Sequence, residues 1–190
     1  LDSYRGKVSI LTAIAMAYDL EDPTGFFRAI HDLLAPGGLA VIQFQDFGQQ
    51  LESAAFDNIC HEHLEYYTLW SLSHLCQQTG LTFQRVQRRA INGGSLRVLL
   101  RRVEDKIRPE PSVASQLIRE SQQLLDTPTI RLGDFNAFAS FARKVQQAQD
   151  QIHAILEITR ARGETLDIYG ASTKGNILLQ MLGIGPEIAR

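Results

Sequence analysis

The chain has 190 residues, 44% of them hydrophobic, with 19 lysines and arginines against 21 acidic residues and a formal net charge of −2. No basic run forms a phosphate-tracking stripe, which excludes an obvious nucleic-acid partner, and no apolar stretch approaches the ~20 residues that cross a membrane as a helix. Two cysteines, Cys60 and Cys76, fit a reducing compartment, so a cytoplasmic protein is expected.

In chain order, "VSILTAIA" at 8–15 is a short apolar run of the kind buried on both faces of a parallel sheet. The segment after it predicts a helix capped by Asp22, with Pro23 in its first turn and Phe26, Phe27, Ile30, Leu33 and Leu34 on one face. Pro36-Gly37-Gly38 ends that helix, and "LAVIQFQ" at 39–45 is the next buried strand. Strand, helix and strand make a βαβ unit, whose crossover is expected to be right-handed. "TLWSLSHLCQQTGL" predicts a second helix with Leu69, Leu72, Leu75 and Cys76 on its apolar face and Gly80 near its end. "LTFQRVQRRAI" and "SLRVLLRR" flank "NGG", a turn that tolerates positive φ, and so read as an antiparallel pair.

Residues 104–134 are polar with scattered prolines and read as a helix mixed with a linker. Residues 135–162 keep helical periodicity for roughly seven turns and read as a spacer between two domains. "TLDIYGASTKGNILLQML" then predicts strand, glycine turn and helix. The chain ends just after that helix, where a further strand is expected, and it is therefore read as an internal piece of a longer protein. The expected division is 1–103, 104–162 and 163–190: the end of one α/β domain, a helical spacer and the start of a second α/β domain.

Chemistry concentrates in "FDNICHEHLEYYT", 56–68, where His61 and His63 flank Glu62. Three readings compete: a metal site, an acid–base site and a polar strand edge. In an extended segment the two histidines point to the same side, and His74 with Cys76 would complete a zinc set by residue type. That spacing is no established zinc pattern, however, and the predicted helix turns His74 away from Cys76. A glutamate beside an imidazole orients it and raises its basicity, and the segment follows the carboxyl end of a strand, where open α/β sheets bind ligands. The acid–base reading is preferred, with no metal. The second candidate is "YGASTKGN", 169–176: Ser172, Thr173, Lys174 and the amides of a helix start suit a phosphate, although the pattern is no Walker loop.

Three motifs then converge on a family. "YDLEDPTGFFRAIHDLLAPGG" resembles the stretch after the fourth strand of class I S-adenosylmethionine-dependent methyltransferases. "FDNICHEHLEYYT" and "YGASTKGNILL" resemble segments peculiar to the sugar C-methyltransferases, and "INGGSLRV" looks like a fourth match; together they span nearly the whole chain. The resemblance implies the C-terminal part of a Rossmann-like methyltransferase domain, followed by the start of an α/β domain that helps to hold a nucleotide-sugar. It also implies an N-terminal zinc-binding domain and a glycine-rich cofactor loop upstream of residue 1.

By the same resemblance, His63 is the base that removes a proton beside the ketone of a nucleotide-linked deoxysugar. Glu62 and His61 orient it or contact the sugar, and Tyr18 offers a hydroxyl to the enolate oxygen. Ala15, Ala17 and Tyr18 border S-adenosylmethionine, while Cys60, Tyr66, Tyr169, Gly170, Ala171, Lys174 and Asn176 face the nucleotide-sugar. Cys60 stands where the family carries tyrosine and Tyr18 where it carries histidine, which points to a different acceptor. An O- or N-methyltransferase and a non-methylating, dehydrogenase-like protein are the alternatives, and the oligomeric state is left open.

Overall fold

In the computed structural model, which describes residues 1–126, 135–170 and 172–185, Val8–Ile14 (β1) and Leu34–Gln45 (β2) pair in parallel. Pro23–Leu33 (α1) joins them. Asp22 caps α1 as its residue type predicts, its carboxylate accepting the Gly25 N–H at 2.8 Å. Phe27 and Ile30 of α1, together with Leu34, are wholly buried, so the apolar spacing read from the sequence is the face that packs.

Phe47–Ser53 (α2) and a 3₁₀ turn at Phe56–Asn58 follow, then Leu69–Gln78 (α3), Leu81–Arg89 (β3) and Ser95–Arg102 (β4). Thr68 and Ser71 form a reciprocal capping box on α3, and Leu69, Leu72 and Cys76 are its buried face. β3 and β4 are antiparallel across the Asn92-Gly93-Gly94 turn, in which all three residues have positive φ. The sheet order is β1-β2-β4-β3, with β4 antiparallel to β2 as well. One mixed sheet results, parallel at one side and closed by a hairpin at the other.

Burial alternates along the central strands except at Gln43, which is itself buried between Ile42 and Phe44. Ala40, Ile42 and Phe44 of β2 and Leu96, Val98 and Leu100 of β4 are buried, while Val41, Arg97 and Leu99 between them are only half-buried. Phe27, Ile30, Leu69, Leu72 and Cys76 share a single core with that inner face, and Val113 joins them from Pro111–Asp126 (α4). Fully burying a side chain such as Phe27 contributes about 1.5–3 kcal/mol.

Three expectations are corrected. β1 is not buried on both faces: within it only Ala13 is buried, while Ile10 and Ile14, which share the opposite face, are exposed, because face burial depends on what packs over the strand rather than on its apolar run. β2 begins at Leu34 rather than 39, and the Pro36-Gly37-Gly38 stretch is absorbed as a bulge where the register passes from Val8↔Leu34 to Ile10↔Leu39. The strand expected near 165–169 is a single bridge at Leu166: among the described residues this short apolar run gains no ladder of successive pairs, which a strand requires.

Phe135–Ala161 (α5) covers the span predicted to be one long helix. Its first half lies against α2, where Lys144 Nζ donates to Glu52 O at 2.7 Å and Phe138 meets the Phe47 ring at 6.4 Å. Thr173–Leu182 (α6) also packs on it, Gln149 Nε2 donating to Met181 O at 3.1 Å.

Candidate active site

At the carboxyl end of the parallel strands, β1 runs into Ala15 and Met16 and then a 3₁₀ turn at Ala17–Asp19. Ala15 has φ +55° and donates its N–H to Gln43 O at 2.8 Å, which turns the chain sharply out of the sheet. Of the three residues expected to border the cofactor, Ala17 is wholly buried, whereas Ala15 is exposed and Tyr18 half-buried, as is Met16 beside them. At the end of β2, Asp46 caps α2 through the Gly48 N–H at 3.1 Å and pairs with Arg88 Nε at 3.0 Å. α2 then leads to the 3₁₀ turn and the histidine segment.

The histidine segment is not extended at its start. Residues 60–62 turn, with the His63 N–H donating to Cys60 O at 3.2 Å, so His61 and His63 do not lie side by side along a strand edge. From His63 to Thr68 the chain has no regular secondary structure. The carbonyl of Tyr18 accepts both the Leu64 and Glu65 N–H groups, at 2.8 and 2.9 Å, and ties this segment to the loop after β1.

His63 is the best-placed of the predicted residues. Its Nδ1 lies 2.6 Å from Asn58 O, and its ring packs on Tyr18 with centroids 4.3 Å apart. A carbonyl oxygen only accepts, so Nδ1 carries the hydrogen and Nε2 the free lone pair, the arrangement a general base needs. Glu62 does not supply that orientation. Its Oε1 stands 4.0 Å from His61 Nε2, and its Oε2 accepts from Thr173 Oγ1 at 3.5 Å. His61 is exposed.

The groups around His63 respond to burial and charge. The Asp19 carboxyl is raised above its ordinary value by burial, reinforced by Glu62 and opposed by His63. Burial also raises the Tyr18 hydroxyl, with Asp19 and the Cys60 thiol adding to it, so this phenol stays a donor at neutral pH. Tyr66 is raised by burial too, against a hydrogen bond from the Cys60 backbone.

The second motif reaches the first. Ser172 caps α6 through the Gly175 N–H at 3.2 Å, and Lys174 Nζ in the first turn stands 3.9 Å from Asp57 Oδ2. With the Thr173–Glu62 contact, this brings α6 onto the turn that carries the histidines. An open cleft of about 610 Å³ lies between them, walled by Phe56, Cys60 and His61 on one side and by Phe141, Ile177 and Met181 on the other. Tyr169, Gly170 and Asn176 are exposed, and Ala171 lies outside the described residues. The zinc set by type is not assembled: the His74 ring is edge-on to Trp70 at 4.9 Å, whereas Cys76 is 1% exposed in the core. Among the described residues no three ligating side chains gather around a common point.

Asn58, Gln45 and Asp19 were not singled out from sequence. Asn58 sits inside the quoted histidine segment and is buried, and its role runs through a backbone carbonyl that any residue could supply.

The sequence pattern described as "Methyltransferase domain" matches residues 1–86, which sets the chain among the methyltransferases and agrees with the mixed sheet. The pattern described as "C-methyltransferase C-terminal domain" matches residues 90–190, and the chain belongs to that C-methyltransferase family. It is 31% identical over 163 residues to C-methyltransferase NovU of Streptomyces niveus, covering 86% of this chain and 37% of that protein. The chain therefore spans little more than a third of that relative.

Two solved structures are more distant. The PH0226 protein of Pyrococcus horikoshii OT3 superposes with a TM-score of 0.44 and 12% identity, over 54% of this chain and 55% of that one. A structure titled "Conversion of a Disulfide Bond into a Thioacetal Group during Echinomycin Biosynthesis" gives 0.36 and 13%, over 64% and 57%. At these scores neither likeness bears on function. No helix among the described residues is long and apolar enough to cross a membrane.

Proposed function

We propose that this chain forms the base-bearing part of an S-adenosylmethionine-dependent enzyme that methylates carbon beside the ketone of a nucleotide-linked deoxysugar. The observation that carries the reading is the His63 imidazole, whose Nδ1 is committed to Asn58 O at 2.6 Å. The chemistry of the surrounding groups supports the cofactor: Ala15 and Met16 offer an apolar strand end, and the carboxylates of Asp19 and Glu62 favour a sulfonium cation. Ala15, Met16 and Tyr18 would border it. S-adenosylmethionine, when bound, supplies an electrophilic methyl group whose leaving group is a neutral thioether.

The chain's own residues handle the proton and the charge it leaves. His63 Nε2 takes the hydrogen from the carbon beside the ketone, and the C–H electron pair becomes the enolate. Tyr18, kept protonated by burial, donates its O–H to the enolate oxygen. Cys60 and His61 line the adjoining cleft, and Lys174 at the start of α6 is the cation closest in kind to what a diphosphate needs. Alignment and proton removal are the main tasks, because the leaving group is already activated. Residues 1–103, 104–162 and 163–190 are the proposed methyltransferase end, helical spacer and start of the sugar-holding domain.

The test is mass spectrometry of the full-length protein with S-adenosylmethionine and a panel of 4-keto nucleotide-sugars in deuterated water. Methyl gain with deuterium entering beside the ketone supports the reading, and His63→Ala should lower both by about 10²-fold or more. Methyl gain on oxygen or nitrogen without deuterium entry would replace it with the heteroatom alternative.

A further inference from the structure

The base is held by groups that the reaction itself does not touch. Asn58 is 2% exposed and ends the 3₁₀ turn that precedes the histidines. Its backbone carbonyl accepts from His63 Nδ1 at 2.6 Å, and its side-chain Oδ1 accepts from Gln45 Nε2 at 2.6 Å. Gln45 is the last residue of β2, in register with Ser95 of β4, so one end of this chain of bonds is anchored in the sheet. The hairpin turn braces the same residue: a Cβ at Gly93 would stand 3.2 Å from the Ala55 Cβ and 3.6 Å from Asn58 Nδ2.

We propose that Gln45 and Asn58 are positioning residues for the base, Gln45 fixing Asn58 and Asn58 fixing the tautomer and ring orientation of His63. This rests on the assignment of His63 made under Proposed function. The geometry has a direct chemical consequence. With Nδ1–H committed to a carbonyl, Nε2 is the only ring nitrogen with a lone pair to offer. Without that commitment the neutral imidazole divides between two tautomers, and the one protonated on Nε2 is no base at the position where the substrate must sit. Gln45 acts at one remove. The amide it donates holds the Asn58 side chain, and hence the 3₁₀ turn that presents the carbonyl.

The experiment uses the full-length protein labelled with ¹⁵N-histidine, its His63 signals assigned by their loss in His63→Ala. The wild type should show a single neutral tautomer with the hydrogen on Nδ1. Gln45→Met, which keeps the side-chain length and removes the donor, should give mixed tautomers. It should also slow deuterium entry beside the ketone by about five- to tenfold, the rate equivalent of one buried neutral hydrogen bond, with KM for the nucleotide-sugar held within about twofold. A wild-type spectrum showing Nε2–H overturns the proposal even if the variant does not fold. So does a Gln45→Met protein with the wild-type tautomer and exchange rate. Unchanged deuterium entry in His63→Ala would instead overturn the base assignment, and the tautomer spectra would then decide the positioning geometry on their own.

Discussion

Replacing Gly94 with alanine should destabilise the chain far more than the same change at Gly37, although both glycines have positive φ, +118° and +72°. At Gly37 an added Cβ meets nothing within 4 Å, so the cost is the backbone term alone, about 1–2 kcal/mol for an L-residue in that region. At Gly94 the added carbon would overlap the Gln49 side-chain oxygen and stand 2.7 Å from the Gln49 Cβ. The side-chain oxygen can rotate away, but the Cβ is fixed to α2 and can move only if the helix does. Overpacking of this kind costs roughly 1–3 kcal/mol in addition to a backbone term of similar size, so about 2–6 kcal/mol in all. Urea unfolding of the 190-residue chain, followed through its one tryptophan, Trp70, reads both variants. At a slope of about 2 kcal/mol per molar urea, the middle of these ranges separates the two midpoints by about 1 M. Equal midpoints would refute the reasoning, because they would mean that the close approach between the hairpin turn and α2 carries no energy.

Acid should unfold the protein through a defined set of carboxylates. Asp32 is lowered chiefly by its hydrogen bond to His31, Glu104 by its own backbone N–H and Asp105 by its hydrogen bond to Arg102. A carboxylate lowered in the folded state adds stability above its unfolded value and loses it as pH falls through the folded value; Asp19, raised by burial, acts in the opposite sense. The urea midpoint should therefore hold level from pH 7 to about 5 and fall below about pH 4, and a level or rising midpoint there would contradict the assignment. The two thiols should separate cleanly under iodoacetamide. Half-buried Cys60 takes the native-state adduct, whereas Cys76, in the core with its thiol pushed up by burial, reacts only after unfolding; mass spectrometry of native adducts on Cys76 would count against the packing described.

What the sequence disclosed was mostly local. α1 was legible because a cap, a proline and an apolar stripe all agree over Asp22 to Leu34, and the hairpin because Asn92-Gly93-Gly94 can adopt the φ values it requires. The exposure of β1 was not. "VSILTAIA" is apolar throughout, and whether Ile10 and Ile14 are covered depends on what packs there rather than on the run itself. The bridge at Leu166 teaches the same lesson, since a strand exists only with a partner. α2 escaped notice because seven residues starting with Phe47-Gly48 show too little periodicity, although the Asp46 cap was there to be read. In the site, residue type gave the His61-Glu62-His63 cluster and the resemblance singled out His63, with Glu62 and His61 to orient it or contact the sugar; the acceptor that the structure places at His63 Nδ1 is instead a main-chain carbonyl five positions back, which no residue type announces.

The carbonyl of Tyr18 serves two amides of the histidine segment while its side chain packs on the His63 ring. The loop that ends β1 and the segment that presents the imidazole consequently share one set of constraints. A molecule that stills the first leaves less conformational entropy to be lost when a second molecule orders the other, and thermodynamic reciprocity makes that advantage equal in both directions. Any such coupling between the two segments runs through the backbone of Tyr18, whose one carbonyl holds both amides.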